Sequence, residues 1–400
     1  MRLFPSPETA WRRALPAILL LAWGGNHFTP LLHLYETLGH YAPWQANLLL
    51  GTYVGGLIPG LLLLAPISDR HGRRPALLAG VVASLIGSLL LGLGLGSFAL
   101  LCLGRVFAGI GVGAAMSVGS SWVKELSAAP FDSSADTTAG ARRALLTLTG
   151  GFGIGAAVTG VLAQWGPAPA VTPYVVHGVL TVASLLILLT CPESLPPARR
   201  SGAPWWQDLR VPSAGHRRFV RLILPAAPWV FGAAGVAYAV MPATVQEELG
   251  HWSTLFATVL TVVTLGAGAA IQNLVPALNR WLRGHSLPFG MALMCAGMGV
   301  AALTAWAGDP LLALAAAALL GVAYGICVTS GLIQVQAIAT PRDLAGLTGI
   351  YYSLTYTGFL LPTLLAALPP AAGYPASLLT VAAICVLCAV AVTRESLRTA

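Results

Sequence analysis

Runs of about twenty apolar residues, each ended by charges, Pro/Gly pairs or a polar cluster, recur along this chain and constrain it more than any other feature. A bilayer core about 30 Å thick takes ~20 helical residues to cross. Inside it, a backbone satisfies its own N–H and C=O groups only as a helix or a closed barrel, and runs of this length select the helix. About twelve spans are predicted, near 14–35, 43–66, 75–96, 98–123, 143–165, 171–191, 221–245, 252–278, 287–307, 310–338, 344–368 and 372–393. With 56% hydrophobic and 8% charged residues, where a soluble domain has roughly a quarter charged, the chain is neither a soluble globule nor disordered.

The 21 Lys and Arg residues test that division. Placed on alternate sides of the spans, all but Arg105 fall on one side: Arg2, Arg12 and Arg13; Arg70, Arg73 and Arg74; Lys124, Arg142 and Arg143; the cluster from Arg199 to Arg221; Arg280, Arg283 and Arg342; and Arg394 and Arg398. The other side holds Glu36, Glu247, Glu248 and Asp309. By the positive-inside rule both termini are cytoplasmic. The pI near 9.5 is therefore a topology signal, the lipid bilayer is the partner it implies, and no nucleic acid is expected. The first apolar stretch, from Ala14 past Leu34, is too long for a cleavable signal. The six cysteines lie in apolar runs and read as packing thiols, Cys385 and Cys388 sharing a helical face. No metal site or cofactor is expected.

The longest polar connection, 192–220, separates six spans from six, giving a bundle over 1–191, a cytoplasmic linker with Trp205 and Trp206 suited to the headgroup layer, and a bundle over 221–400. The halves echo each other. Pro66-Ile67-Ser68-Asp69-Arg70 recurs 210 residues later as Pro276-Ala277-Leu278-Asn279-Arg280, and Leu15-Pro16 recurs 209 later as Leu224-Pro225. Such duplication is expected of a two-bundle transporter with its site between the repeats.

The loop after the second span, Ala65-Pro66-Ile67-Ser68-Asp69-Arg70-His71-Gly72-Arg73-Arg74, resembles the G-x-x-x-D-R-x-G-R-R/K signature of the major facilitator superfamily, departing at Ala65. The resemblance implies an all-α integral membrane fold of twelve helices in two six-helix bundles. It also implies a cytoplasmic gate of Asp69, Arg70, Gly72, Arg73 and Arg74 with Glu125 as acidic partner, Asp69 facing the start of the eleventh span near Asp343 and Leu344. The fourth span, Gly104-Arg105-Val106-Phe107-Ala108-Gly109-Ile110-Gly111, is similar to the family's R-x-x-x-G-x-G pattern. Arg105, some seven residues from the outer end, lies ~10 Å deep. A charge there needs a partner or a watery cavity, so it is expected to hold an anionic solute group or tune a proton site. The fifth span, with Gly151, Gly155 and Gly160 but Ala156 and Thr159, resembles the antiporter motif G-x-x-x-G-P-x-x-G-G without its proline, which tilts the expectation toward export; close helix packing explains the glycines equally.

No acid stands at mid-depth in the first or fourth span. The nearest titratable group is His27, whose ordinary pKa of ~6.5 suits proton exchange, with Asn26 and Arg105 shaping its field. Tyr53, Trp122, His177, Trp229, Tyr238, Gln272, Asn273, Tyr324, Gln334, Tyr352 and Tyr356 are further candidate lining groups. They describe a cavity of few charges and many aromatic and amide groups, suited to an amphipathic or weakly polar solute. No G-x-x-x-x-G-K-[ST], H-E-x-x-H or G-x-S-x-G occurs, so neither nucleotide-driven transport nor an enzyme is expected. The expected function is secondary transport in a bacterial inner membrane: proton-coupled export of a small organic compound by a protein able to work as a monomer. The alternatives are proton-coupled uptake of a sugar or other metabolite and, more remotely, a non-transporting sensor.

Overall fold

Each apolar run forms helix, and its ends fall where the sequence supplies a reason. The computed structural model describes residues 9–136, 138–196, 211–340, 343–368 and 373–398, with no strand among them. Within these residues nine helices are long and apolar enough to cross a membrane, from Pro43–His71 to Gly373–Arg398, and Thr172–Leu188 is a shorter apolar helix. Ser97 caps Phe98–Ala114 by accepting from the Leu100 N–H at 3.5 Å. Asp309 caps Pro310–Ile338 by accepting from the Leu311 N–H at 2.7 Å, with Pro310 at the first helical position.

The first and eleventh spans are each broken, and a proline accounts for each break. The first runs as a helix over Trp11–Asn26, a 3₁₀ turn over Thr29–Leu31 and a short helix over Leu32–Thr37. Pro30 has no N–H to give and its ring crowds the carbonyl four residues back, that of Asn26, where the helix stops. The eleventh runs over Leu344–Tyr356, Thr357–Phe359 and Leu360–Ala366; Pro362 stands in the same relation to Gly358.

The contacts divide the chain into two compact units, Met1–Phe28 with Thr52–Leu209, and Thr29–Gly51 with Arg210–Ala400. The first unit has a core of Ala14, Ile18, Leu77, Val118, Trp122 and Leu188 among others. In the second, Met291, Met294 and Met298 pack with Ala313, Ala317 and Leu320. Thr29–Gly51 belongs with the second unit: Gly51, for example, lies against Leu360. Leu89, Val179, Leu186, Leu364 and Leu387 are exposed along the helices, as lipid-facing side chains are in a membrane protein. Trp44, Trp165, Trp252 and Trp306 are exposed, each near a helix end that the arginine pattern assigns to the outer surface, where aromatic belts form.

Of the expected linker, residues 197–210, including Arg199, Arg200, Trp205, Trp206 and Arg210, lie outside the described residues, as do Arg2 and Arg342. All six thiols are free. Cys385 lies closest to Cys295, sulfur to sulfur 3.4 Å, across the ninth and twelfth spans.

Candidate functional site

The break in the first span gathers buried polar groups in the first unit. Where the helix stops, its last carbonyls lose their partners, and Arg105 Nη1 donates to the Gly25 carbonyl at 3.3 Å. The guanidinium is 1% exposed and lies over the rings of Phe28 (4.5 Å) and Tyr53 (4.6 Å). A helix C-terminus carries partial negative charge, and two aromatic faces add cation–π attraction. These contacts hold the intramembrane cation.

His27 sits at the same break, fully buried, with neither ring nitrogen hydrogen-bonded. It meets Tyr174 (4.7 Å) and His177 (4.8 Å) edge to face. His177 is fully satisfied. Its Nε2 is 2.8 Å from the Leu20 carbonyl, which can only accept, and its Nδ1 is 2.7 Å from Ser88 Oγ. The Nε2–H tautomer, donating to Leu20 and accepting from Ser88, satisfies both contacts without a charge. Asn26 donates to the Phe152 carbonyl at 3.5 Å. Ser84 Oγ and Trp23 Nε1, both buried, have no partner. Asn26, His27, Arg105 and Tyr53 are thus brought together. Trp122 is not: it is fully buried in the apolar core with Ile18 and Leu77.

The second unit gathers aromatic rings instead. Phe231 stacks on Tyr356 (4.1 Å, 18° between planes) and touches Tyr324 and Phe359, and Phe359 in turn lies 6.3 Å from Tyr238. Gln272 lies beside Tyr324. Of the predicted residues, Tyr238, Gln272, Tyr324 and Tyr356 assemble, whereas Asn273 is exposed at the end of Ser253–Gln272. Phe231 and Phe359, the hub of the cluster, were missed because an aromatic in an apolar run carries no polar mark.

The signature loop forms a charge chain at the other end of the first unit. Arg73 pairs with Asp69 four residues back and with Glu125 at 2.7 Å. Its Nη1 also donates to Ser68 Oγ at 3.1 Å, and Ser194 Oγ donates to Glu125. Glu193, which sequence reasoning passed over, caps the helix Arg73–Leu93: its carboxylate accepts from the Arg73 and Arg74 N–H groups at 3.0 and 2.9 Å. Gly72 precedes that helix at φ +105°, ψ 160°, a conformation essentially reserved for glycine. Arg70 donates to the Pro66 carbonyl at 2.6 Å. In the second unit the Asp343 carboxylate accepts from the Ser213 and Thr340 N–H groups at 3.0 and 2.7 Å, and these bonds hold its pKa well below the usual carboxylate range. At the repeat position of Asp69 stands Asn279, which accepts from Ser286 Oγ at 2.6 Å. The second repeat keeps arginines at the positions of Arg70 and Arg73, as Arg280 and Arg283, but carries the neutral Asn279 where the first has Asp69.

The motif glycines are points of backbone contact. A Cβ on Gly151 would lie 2.3 Å from the Leu19 carbonyl oxygen, and one on Gly155 2.8 Å from Trp23 Cα; Gly160 is buried on the same helix. These glycines draw the fifth span against the first.

The family model described as Major Facilitator Superfamily matches residues 14–239. No curated protein sequence matches the chain. Among solved structures, the D323A mutant of the nucleoside transporter NupG superposes with a TM-score of 0.76 at 13% identity, covering 97% of this chain and 99% of that one. The xylose transporter XylE of E. coli, in a partially occluded inward-open form, gives 0.69 at 16% identity with 96% of each chain covered. The human organic anion transporter MFSD10 gives 0.67 at 18% identity over 97% and 100%.

Proposed function

This chain belongs to the Major Facilitator Superfamily, and from that premise we propose that it is a proton-coupled secondary transporter of a bacterial inner membrane, both termini cytoplasmic, that exports a small amphipathic organic compound by alternating access. The single observation behind the proton assignment is His27. A ring buried with both nitrogens unpartnered forfeits about 1–3 kcal/mol per unsatisfied group. That loss is recovered in a state where water, a proton or solute reaches the ring. His177, its neighbour, is held by Ser88 and Leu20 and has no such free position. The aromatic cluster around Phe231 supports an amphipathic solute.

His27→Gln keeps the size and polarity but cannot take a proton. In inverted membrane vesicles it is expected to retain solute exchange at equilibrium while net transport driven by a pH gradient falls at least about tenfold, the effect of ~1.4 kcal/mol on a barrier. Full gradient-driven transport in this variant would remove His27 from the mechanism.

The same reading makes Asp69, Arg73 and Glu125 a latch that must break and re-form in each cycle. Half of the Asp69 side chain is exposed, so solvent weakens its pairing. Asp69→Asn is expected to slow transport a few-fold to about tenfold at normal expression, whereas an unchanged turnover rate would reduce the network to a topology anchor. A second reading, uptake with protons, is favoured by the solutes named for fold neighbours, a nucleoside transporter and a D-xylose–proton symporter. Uptake of xylose or a nucleoside into right-side-out vesicles, against none into inverted ones, would select it.

A further inference from the structure

The outer end of the first span helps to line a polar pocket to which the reading above gives no ion. The segment Thr29–Gly51 packs within the unit that holds Arg210–Ala400, and the pocket lies wholly inside that unit, lined by Thr29, His33, Glu36, Asn47, Tyr238 and Ser253 among others. Its volume is about 30 Å³, room for one or two water-sized occupants.

The lining holds buried polar atoms without partners. Asn47 is 5% exposed, and its Nδ2 donates to the Pro43 carbonyl at 2.9 Å, leaving Oδ1 buried without a partner. His33 Nδ1 is likewise buried and unpartnered. Ser253 gives its proton to the Gly250 carbonyl at 2.7 Å, so its oxygen can only accept. Glu36 is half-buried, and its one electrostatic neighbour shown among the described residues is Tyr374. An unpaired carboxylate drawn out of water is costly unless a cation meets it. No Lys or Arg lines the pocket, so an anion has nothing to bind, and a single carboxylate in so small a space suits one positive charge.

We propose that this pocket is a site for a small monovalent cation, sodium or a proton, held by the Glu36 carboxylate with Asn47 Oδ1 as neutral ligand. The other titratable groups around Glu36 are few. His33 is on the same helix, Tyr238 stands on the π-helical turn Val236–Val240, and Tyr374, on Gly373–Arg398, lies within electrostatic reach. The helix Ser253–Gln272 offers only neutral Ser253 and Ala257, while Glu247 and Glu248, beside Gln246, are exposed. Because Glu36 and Asn47 come from the segment 29–51 and Tyr238 and Ser253 from beyond residue 210, an ion in the pocket would fasten that segment to the rest of its unit.

The site is read by binding alone, so its failure is separable from failure of the transport reading. Melting of the purified full-length protein is followed in two arms: sodium chloride against choline chloride at equal ionic strength and pH 8, and pH 8 against pH 6 in choline chloride. A bound ion stabilises the folded state by mass action. The wild type is expected to gain several degrees with sodium if the occupant is sodium, or on acidification if it is a proton. Glu36→Gln should lose that gain, and Asn47→Leu should shift a sodium titration about tenfold weaker. Should Glu36→Gln not fold, Glu36→Asp, which keeps the charge, serves in its place with a weakened response. A wild type that answers neither arm, or a Glu36→Gln protein that answers both as wild type does, would overturn the proposal.

Discussion

Gly109→Leu is expected to abolish accumulation of folded protein in the membrane, while Gly153→Ala accumulates as wild type does. A Cβ on Gly109 would stand 2.1 Å from the Tyr53 carbonyl oxygen and 2.6 Å from the Leu57 nitrogen. The atoms it meets are backbone and cannot rotate away. The contact is reciprocal along the second and fourth spans, since a Cβ on Gly56 would be 1.9 Å from the Val106 carbonyl oxygen and one on Gly113 2.6 Å from Leu61 N. Overpacking a core costs ~1–3 kcal/mol where side chains can yield. Here two helices must part, so the loss exceeds that range and approaches the whole ~5–15 kcal/mol stability of a typical protein. A Cβ on Gly153 meets nothing within 4 Å, and alanine there adds ~0.5–1 kcal/mol of helix preference. Normal levels of Gly109→Leu by fluorescence-detected size exclusion would contradict the close approach of these spans.

The second large effect is expected at Arg105. Its guanidinium joins the Gly25 carbonyl at the broken end of the first span to the faces of Phe28 and Tyr53. Arg105→Ala removes a helix-end charge worth up to ~2 kcal/mol and cation–π contacts of ~1–2 kcal/mol. It also leaves the polar end of the helix facing a void. A stability loss of roughly 2–4 kcal/mol is expected on those terms, with gradient-driven transport reduced by more than about tenfold. Arg105→Lys keeps the charge but not the plane that lies against two rings, and should recover less than half of the lost stability. A lysine variant equal to wild type in melting and transport would mean that charge alone matters at this position.

The apolar helices were readable from the sequence because a bilayer imposes a length and a hydropathy that few other folds require, although the run 252–278 divides into Ser253–Gln272 and Val275–Trp281. Both breaks were written there too, in Pro30 and Pro362, but hydropathy passes over a proline in an apolar run. Membership of Thr29–Gly51 in the second unit left no sequence signal, because an amphipathic pattern says that a face is covered and not by what. His27 was found as a titratable group in a membrane span. Its neighbour His177 lies 150 residues away, and only the fold sets the two rings edge to face. Trp122 and Tyr238 look alike as aromatics in apolar runs, yet one is core and the other borders a pocket. Glu193 stands in the polar stretch after the sixth span, and its carboxylate gained meaning only when it met the backbone of Arg73 and Arg74. Arg105, placed by sequence as an intramembrane charge, closes the end of a helix, a role that depends on a break the hydropathy did not reveal.

Proton exchange for solute is the central claim, and the most direct measurement is made on the purified protein in sealed liposomes containing the pH dye pyranine. With ethidium as the amphipathic probe and an acid interior, the protein should drive ethidium inward while protons leave, and His27→Gln liposomes should show neither flux beyond leak. Ethidium and protons moving in the same direction, or ethidium movement with no change in the internal pH beyond that of empty liposomes, would contradict proton-coupled export.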